Sequence, residues 1–62
     1  MEKKAKLMNI VRAMKMNNIN INVDENSSEK EIYNAILLSG NDKYGILATW
    51  VVENNPMASM VF

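Results

Sequence analysis

The sequence predicts an α+β domain, a small two-layer fold of order α-β-α-β-β with a three-stranded sheet. Three observations carry that prediction. Leu7, Ile10, Val11 and Met14 recur at i, i+3, i+4 and i+7, the apolar stripe of an amphipathic helix. Asn18-Ile19-Asn20-Ile21-Asn22-Val23 alternates polar and apolar residues strictly, the period of a half-buried strand. The run from Ile46 to Val52 carries Ile46, Thr49, Trp50, Val51 and Val52, side chains that lose freedom in a helix and pack well on a sheet. The alternative is an all-α three-helix domain. At 62 residues the chain is one domain, 1–62.

The first helix is expected from Glu2 to about Met16, a stretch without Gly, Pro or a long β-branched run. Lys4, Arg12 and Lys15 flank its apolar stripe on one side, and Met8 and Met16 widen its apolar surface. The strand over 19–23 points Ile19, Ile21 and Val23 inward. Asn is a poor strand former, so alternation rather than propensity carries this element. Asp24 to Ser27 read as a polar turn.

A second helix is expected over about 28–39. Ser28 is a good N-cap with Glu31 three residues on, a capping-box pattern, and the early acids Glu29 and Glu31 suit the positive end of the helix dipole. Ile32, Ala35 and Ile36, with Leu38 as a further candidate, form its buried stripe, and Gly40 stands where a left-handed helix-ending residue belongs. Residues 41–45 are turn-like. The segment 46–52 then reads as a strand, because an alternating strand at 19–23 needs a sheet to belong to. Read as a helix capped by Asp42, it would instead bury Ile46, Leu47, Trp50 and Val51. Residues 53–56 make a turn, and 57–62 a returning antiparallel strand after a right-handed crossover of the first two.

Composition removes most chemistry. The chain has no histidine and no cysteine. Triads built on His, thiol redox motifs and ordinary structural zinc sites therefore fall away. Two glycines cannot build a phosphate-cradling loop. Asp24-Glu25-Asn26-Ser27-Ser28 starts like a calcium loop but has Glu29 at position six and Ala35 at position twelve, so a helix approach explains it better. No catalytic residue, cofactor, metal or small-molecule substrate is expected. No apolar run approaches the roughly 20 residues a membrane span needs, and no secretory leader pattern is present, so a cytoplasmic location is expected.

The formal net charge of zero conceals a split. In residues 1–16, Lys3, Lys4, Lys6, Arg12 and Lys15 face only Glu2, a net of +4. In residues 17–62, Lys30 and Lys43 face Asp24, Glu25, Glu29, Glu31, Asp42 and Glu53, a net of −4. The basic end either folds back on the acidic part of its own chain or forms a surface for an acidic partner.

These features point to a small non-enzymatic regulatory protein, an inhibitor or adaptor. It would dock a strand edge or the Met-rich first helix onto a protein partner or, as a homodimer, its own copy. Trp50, Tyr44, Met60 and Phe62 are the expected apolar anchors, with the core aromatic of a small domain as the other reading of Trp50. The alternative is a nucleic-acid-binding regulator working through Lys3, Lys4, Lys6, Arg12 and Lys15. Against it stand an isoelectric point near 6.1 and the absence of room for a recognition helix at 41–45.

Overall fold

A computed structural model of the chain describes residues 3–56. It contains three helices, α1 (Lys3–Met16), α2 (Glu29–Leu38) and α3 (Asp42–Val52), and each packs against the other two. Among the described residues there is no strand, so the α+β sheet is overturned and the three-helix alternative fits. The returning strand expected over 57–62 lies outside the described residues.

Helix α1 forms for the reason its sequence suggests. Leu7, Ile10, Val11 and Met14 are all fully buried, so the apolar stripe is the helix's inner face. Its end is set by Asn18, which adopts φ 65°. Asn tolerates this left-handed conformation because its short polar side chain bonds locally. The Asn18 N–H then donates to the Lys15 carbonyl (3.1 Å) and the Ile19 N–H to the Met14 carbonyl (2.9 Å), closing a Schellman motif.

The segment after α1 corrects the first strand. Ile19, Ile21 and Val23 do turn toward the core and are partly buried, while Asn20 and Asn22 face solvent. Yet the segment pairs with nothing in a ladder. Alternation belongs to any extended backbone, whether or not a neighbour completes a sheet. The turn that follows ties itself: the Ser27 N–H donates to the Asp24 carbonyl (3.0 Å) and the Asn26 N–H to the Asp24 carboxylate (2.8 Å).

Helix α2 opens with a reciprocal capping box. The Glu31 N–H donates to the Ser28 hydroxyl (3.1 Å), and the Ser28 N–H donates to the Glu31 carboxylate (3.0 Å). Bonding to the Ser28 N–H, and secondarily to its hydroxyl, holds the Glu31 pKa below the usual carboxylate range. A carboxylate depressed in the folded state stabilises above its unfolded pKa, and that contribution disappears as pH falls through the folded value. Ser28→Ala is expected to lower stability by about 1 kcal/mol at neutral pH. The gap between wild type and Glu31→Ala should narrow in acid. Urea titrations at neutral and acid pH check both, and a gap that widens in acid contradicts the assignment.

At the other end of α2, Gly40 takes φ 76° and donates its N–H to the Leu37 carbonyl (3.2 Å), while the Ser39 hydroxyl satisfies the Ile36 carbonyl (2.6 Å). The buried positions of α2 are Ile32 and Ile36; Ala35 is half-buried, and Leu38 is 87% exposed rather than part of the stripe.

The segment read as a strand at 46–52 belongs to α3. Its N-cap is Asn41, whose side-chain oxygen accepts from the Tyr44 N–H (3.3 Å); Asp42, expected as the cap, occupies the first turn. Its far end repeats the α1 device: Asn54 takes φ 58°, and the Asn55 N–H donates to the Trp50 carbonyl (2.9 Å). The β-branched residues between these stops each cost only a few tenths of a kcal/mol in helix propensity. Thr49 ties its hydroxyl within the helix, donating it to the Gly45 carbonyl (2.9 Å). The buried face is Tyr44, Ala48 and Val51, with Gly45; of the Ile46, Leu47, Trp50, Val51 set of the helical alternative, Val51 is buried, Leu47 and Trp50 pack partly buried against the core, and Ile46 is exposed.

Candidate functional site

Helix α3 carries two apolar surfaces. Tyr44, Ala48 and Val51 enter the core. On the far side of the helix, Asp42, Ile46, Thr49 and Glu53 repeat at i, i+4, i+7 and i+11, flanked by the buried Gly45 and by Trp50, which packs partly buried against the core. With Leu37, Gly40 and Asn41 from the end of α2 and the following turn, these residues line an open groove of about 560 Å³. Here Ile46 is 51% exposed and Leu37 43% exposed, with Trp50 half-buried beside them.

The groove is rigidly floored. The Thr49 hydroxyl, already donating to the Gly45 carbonyl, lies 3.1 Å from the Tyr33 hydroxyl, which thereby joins α2 to α3 as the donor. Gly45 forms part of the floor. Its φ is not positive, and a Cβ added there would meet only the Leu37 Cδ2, at an ordinary 3.5 Å. Glycine inside a helix costs about 1 kcal/mol relative to alanine. Nothing in the described packing requires that cost. At the two ends of the stripe stand the acids Asp42 and Glu53.

The expected anchors are divided. Trp50 lines the groove and also packs, partly buried, against the core, so its two readings meet in one side chain. Tyr44 is only 7% exposed and lies in the core, where its hydroxyl accepts from the Asn17 side-chain amide (2.8 Å); little of it is left for a partner. Lys43 turns toward the Tyr44 ring, with its ammonium 5.6 Å from the centroid. Met60 and Phe62 lie outside the described residues. Leu37, Gly45, Ile46, Asp42 and Glu53 were not expected in a site. The signal for Asp42, Ile46 and Glu53, a row beginning at Asp42, emerges only once 42–52 is read as a helix, and Leu37 joins them from α2.

The basic set is divided too. At 100° per residue, Lys4 and Lys6 stand about 200° apart around α1, with the buried stripe between them. Arg12 and Lys15 share a second cleft with Met8, Val23, Asp24, Glu25 and Asn26, and the Lys4 ammonium donates to the Glu25 carbonyl. One flank of the basic helix thus meets the acidic turn of its own chain. Lys3 and Lys6 do not share that cleft.

Among the described residues, no group of three or more His, Cys, Asp or Glu side chains could hold a metal ion. No helix among them is long and apolar enough to cross a membrane. No family model, curated protein or solved structure matches the chain.

Proposed function

We propose that the protein is a non-enzymatic regulatory module that acts by docking its α2–α3 groove onto a protein partner. The observation that carries this reading is the open groove between α2 and α3, in which Ile46 and Leu37 stand half-exposed beside Trp50. Aromatic and apolar side chains framed by polar ones are the usual make-up of an interface centre. Docking by a strand edge is withdrawn, because the described residues contain none. Helix α1 is a poorer surface, because its stripe is spent in the core. The nucleic-acid alternative has less support, since the basic residues do not form one surface: Lys4 donates to the Glu25 backbone carbonyl, Arg12 and Lys15 border the same cleft, and Lys6 lies across the helix. A cytoplasmic location belongs to the same proposal, and cell fractionation tests it.

Immobilised protein should retain a specific partner from an extract of its source cells. Ile46→Lys should weaken that capture about thirtyfold or more, the effect of disrupting a centrally placed anchor. Leu38→Lys, which adds the same charge at an exposed position outside the groove, should leave capture unchanged. Equal capture by both variants, with both shown folded by circular dichroism, would remove the groove from the function.

A further inference from the structure

We propose that the occupant of the groove is an amphipathic helix of another protein, bearing a Lys or Arg at each end of a short apolar stripe that packs on Ile46 and Leu37. This rests on the docking reading above and names the partner's chemistry.

The first argument is charge. Asp42 and Glu53 close the two ends of the stripe, and between them lie only Gly45, Ile46, Thr49 and Trp50. Thr49 is committed to Gly45 and Tyr33, so the middle of the groove offers apolar contact and the ends offer anions. Eleven residues at 1.5 Å per residue separate the acids by about 16 Å along the axis. A helix lying along α3 would meet both with cations about eleven residues apart, flanking apolar residues at i, i+3, i+4 and i+7. A second copy suits this face poorly. Two α3 helices packed through it in either direction would set acid against acid at both ends, which opposes association.

The second argument is exposure. Ile46 is 51% exposed and Leu37 43% exposed in the middle of the groove, which leaves apolar surface between the two acids for a partner's apolar side chains.

Two synthetic amphipathic peptides of about fourteen residues test the proposal, identical in their leucine stripe, one with Lys at two positions eleven residues apart and one with Glu there. Trp50 is the sole tryptophan, so its emission reports occupancy, and the amide signals of Gly45 and Thr49 locate it. The Lys-ended peptide should bind about tenfold more tightly at low salt, as two exposed charge pairs allow. The advantage should narrow as salt is added and vanish in the Asp42→Asn, Glu53→Gln double variant. Equal binding of the two peptides at Gly45 and Trp50 would overturn the charged-helix occupant while leaving the docking groove standing. No response of those signals to either peptide would remove the groove as well. A dimer seen by light scattering and broken by Ile46→Lys would assign the face to a second copy and overturn the proposal. So would a red shift of Trp50 on deleting residues 57–62, which would assign the groove to the chain's own end.

Discussion

Ile36→Ala is expected to cost about 3 kcal/mol, within the range measured for emptying a fully buried aliphatic site. Ile36 is completely inaccessible to solvent and belongs to the single cluster shared by all three helices, so the cavity has no exposed edge from which water could fill it. The size of the chain makes this loss large. At 62 residues, a domain of ordinary stability holds only about 3–9 kcal/mol in total, and no disulfide supplements it. The melting temperature should fall by roughly 12–24 °C. Urea unfolding followed by Trp50 emission and by far-ultraviolet circular dichroism measures the loss. Leu38→Ala, two residues away on the same helix but 87% exposed, should change stability by less than about 0.5 kcal/mol. If the two variants unfold alike, the inner face of α2 has been misassigned.

Ile46→Pro is expected to cost about 3 kcal/mol or more, against less than about 1 kcal/mol for Ile46→Ala. Ile46 is half exposed, so most of the difference between the variants comes from backbone. Inside α3, proline removes a helical N–H bond and drives its ring against the carbonyl one turn back, at Asp42. The pair of variants therefore asks directly whether this segment is helical. A proline variant as stable as the alanine one, or NMR contacts across strands within 46–52, would return the segment to a sheet.

What was legible in the sequence was local. The four buried positions of α1 repeat at helical spacing because one helix face carries them. Ser28 with Glu31, and Gly40, announce the limits of α2 because a cap requires only a few neighbouring residues. The alternation at 19–23 reported which side chains face the core and misreported the element, since the partners of a strand lie elsewhere in the chain. The β-branched run at 46–52 misled more seriously. Propensities summed over a short segment were outweighed by an Asn cap at each end and by the core's need for Tyr44, Ala48 and Val51. Asn18 and Asn54 carried a readable signal as left-handed stops; glycine is the commoner one, and Asn is equally at home in loops.

The candidate site was less legible, because it depends on that misread element. Trp50 attracts notice in any reading, but Tyr44 is directed inward by the phase of α3, and Leu37 enters the groove from another helix. The sequence by itself determined the exclusions that follow from lacking His and Cys, the split between a basic first helix and an acidic remainder, and the helical character of α1 and α2. Only the tertiary structure decided that α3 is a helix, that one flank of the basic helix meets the acidic turn, and that apolar surface remains open opposite the core. The physical reason is the reach of each interaction. Caps and side-chain periodicity act within a few residues, whereas the rotation of α3, and with it the face left for a partner, is set by packing against two helices distant in sequence.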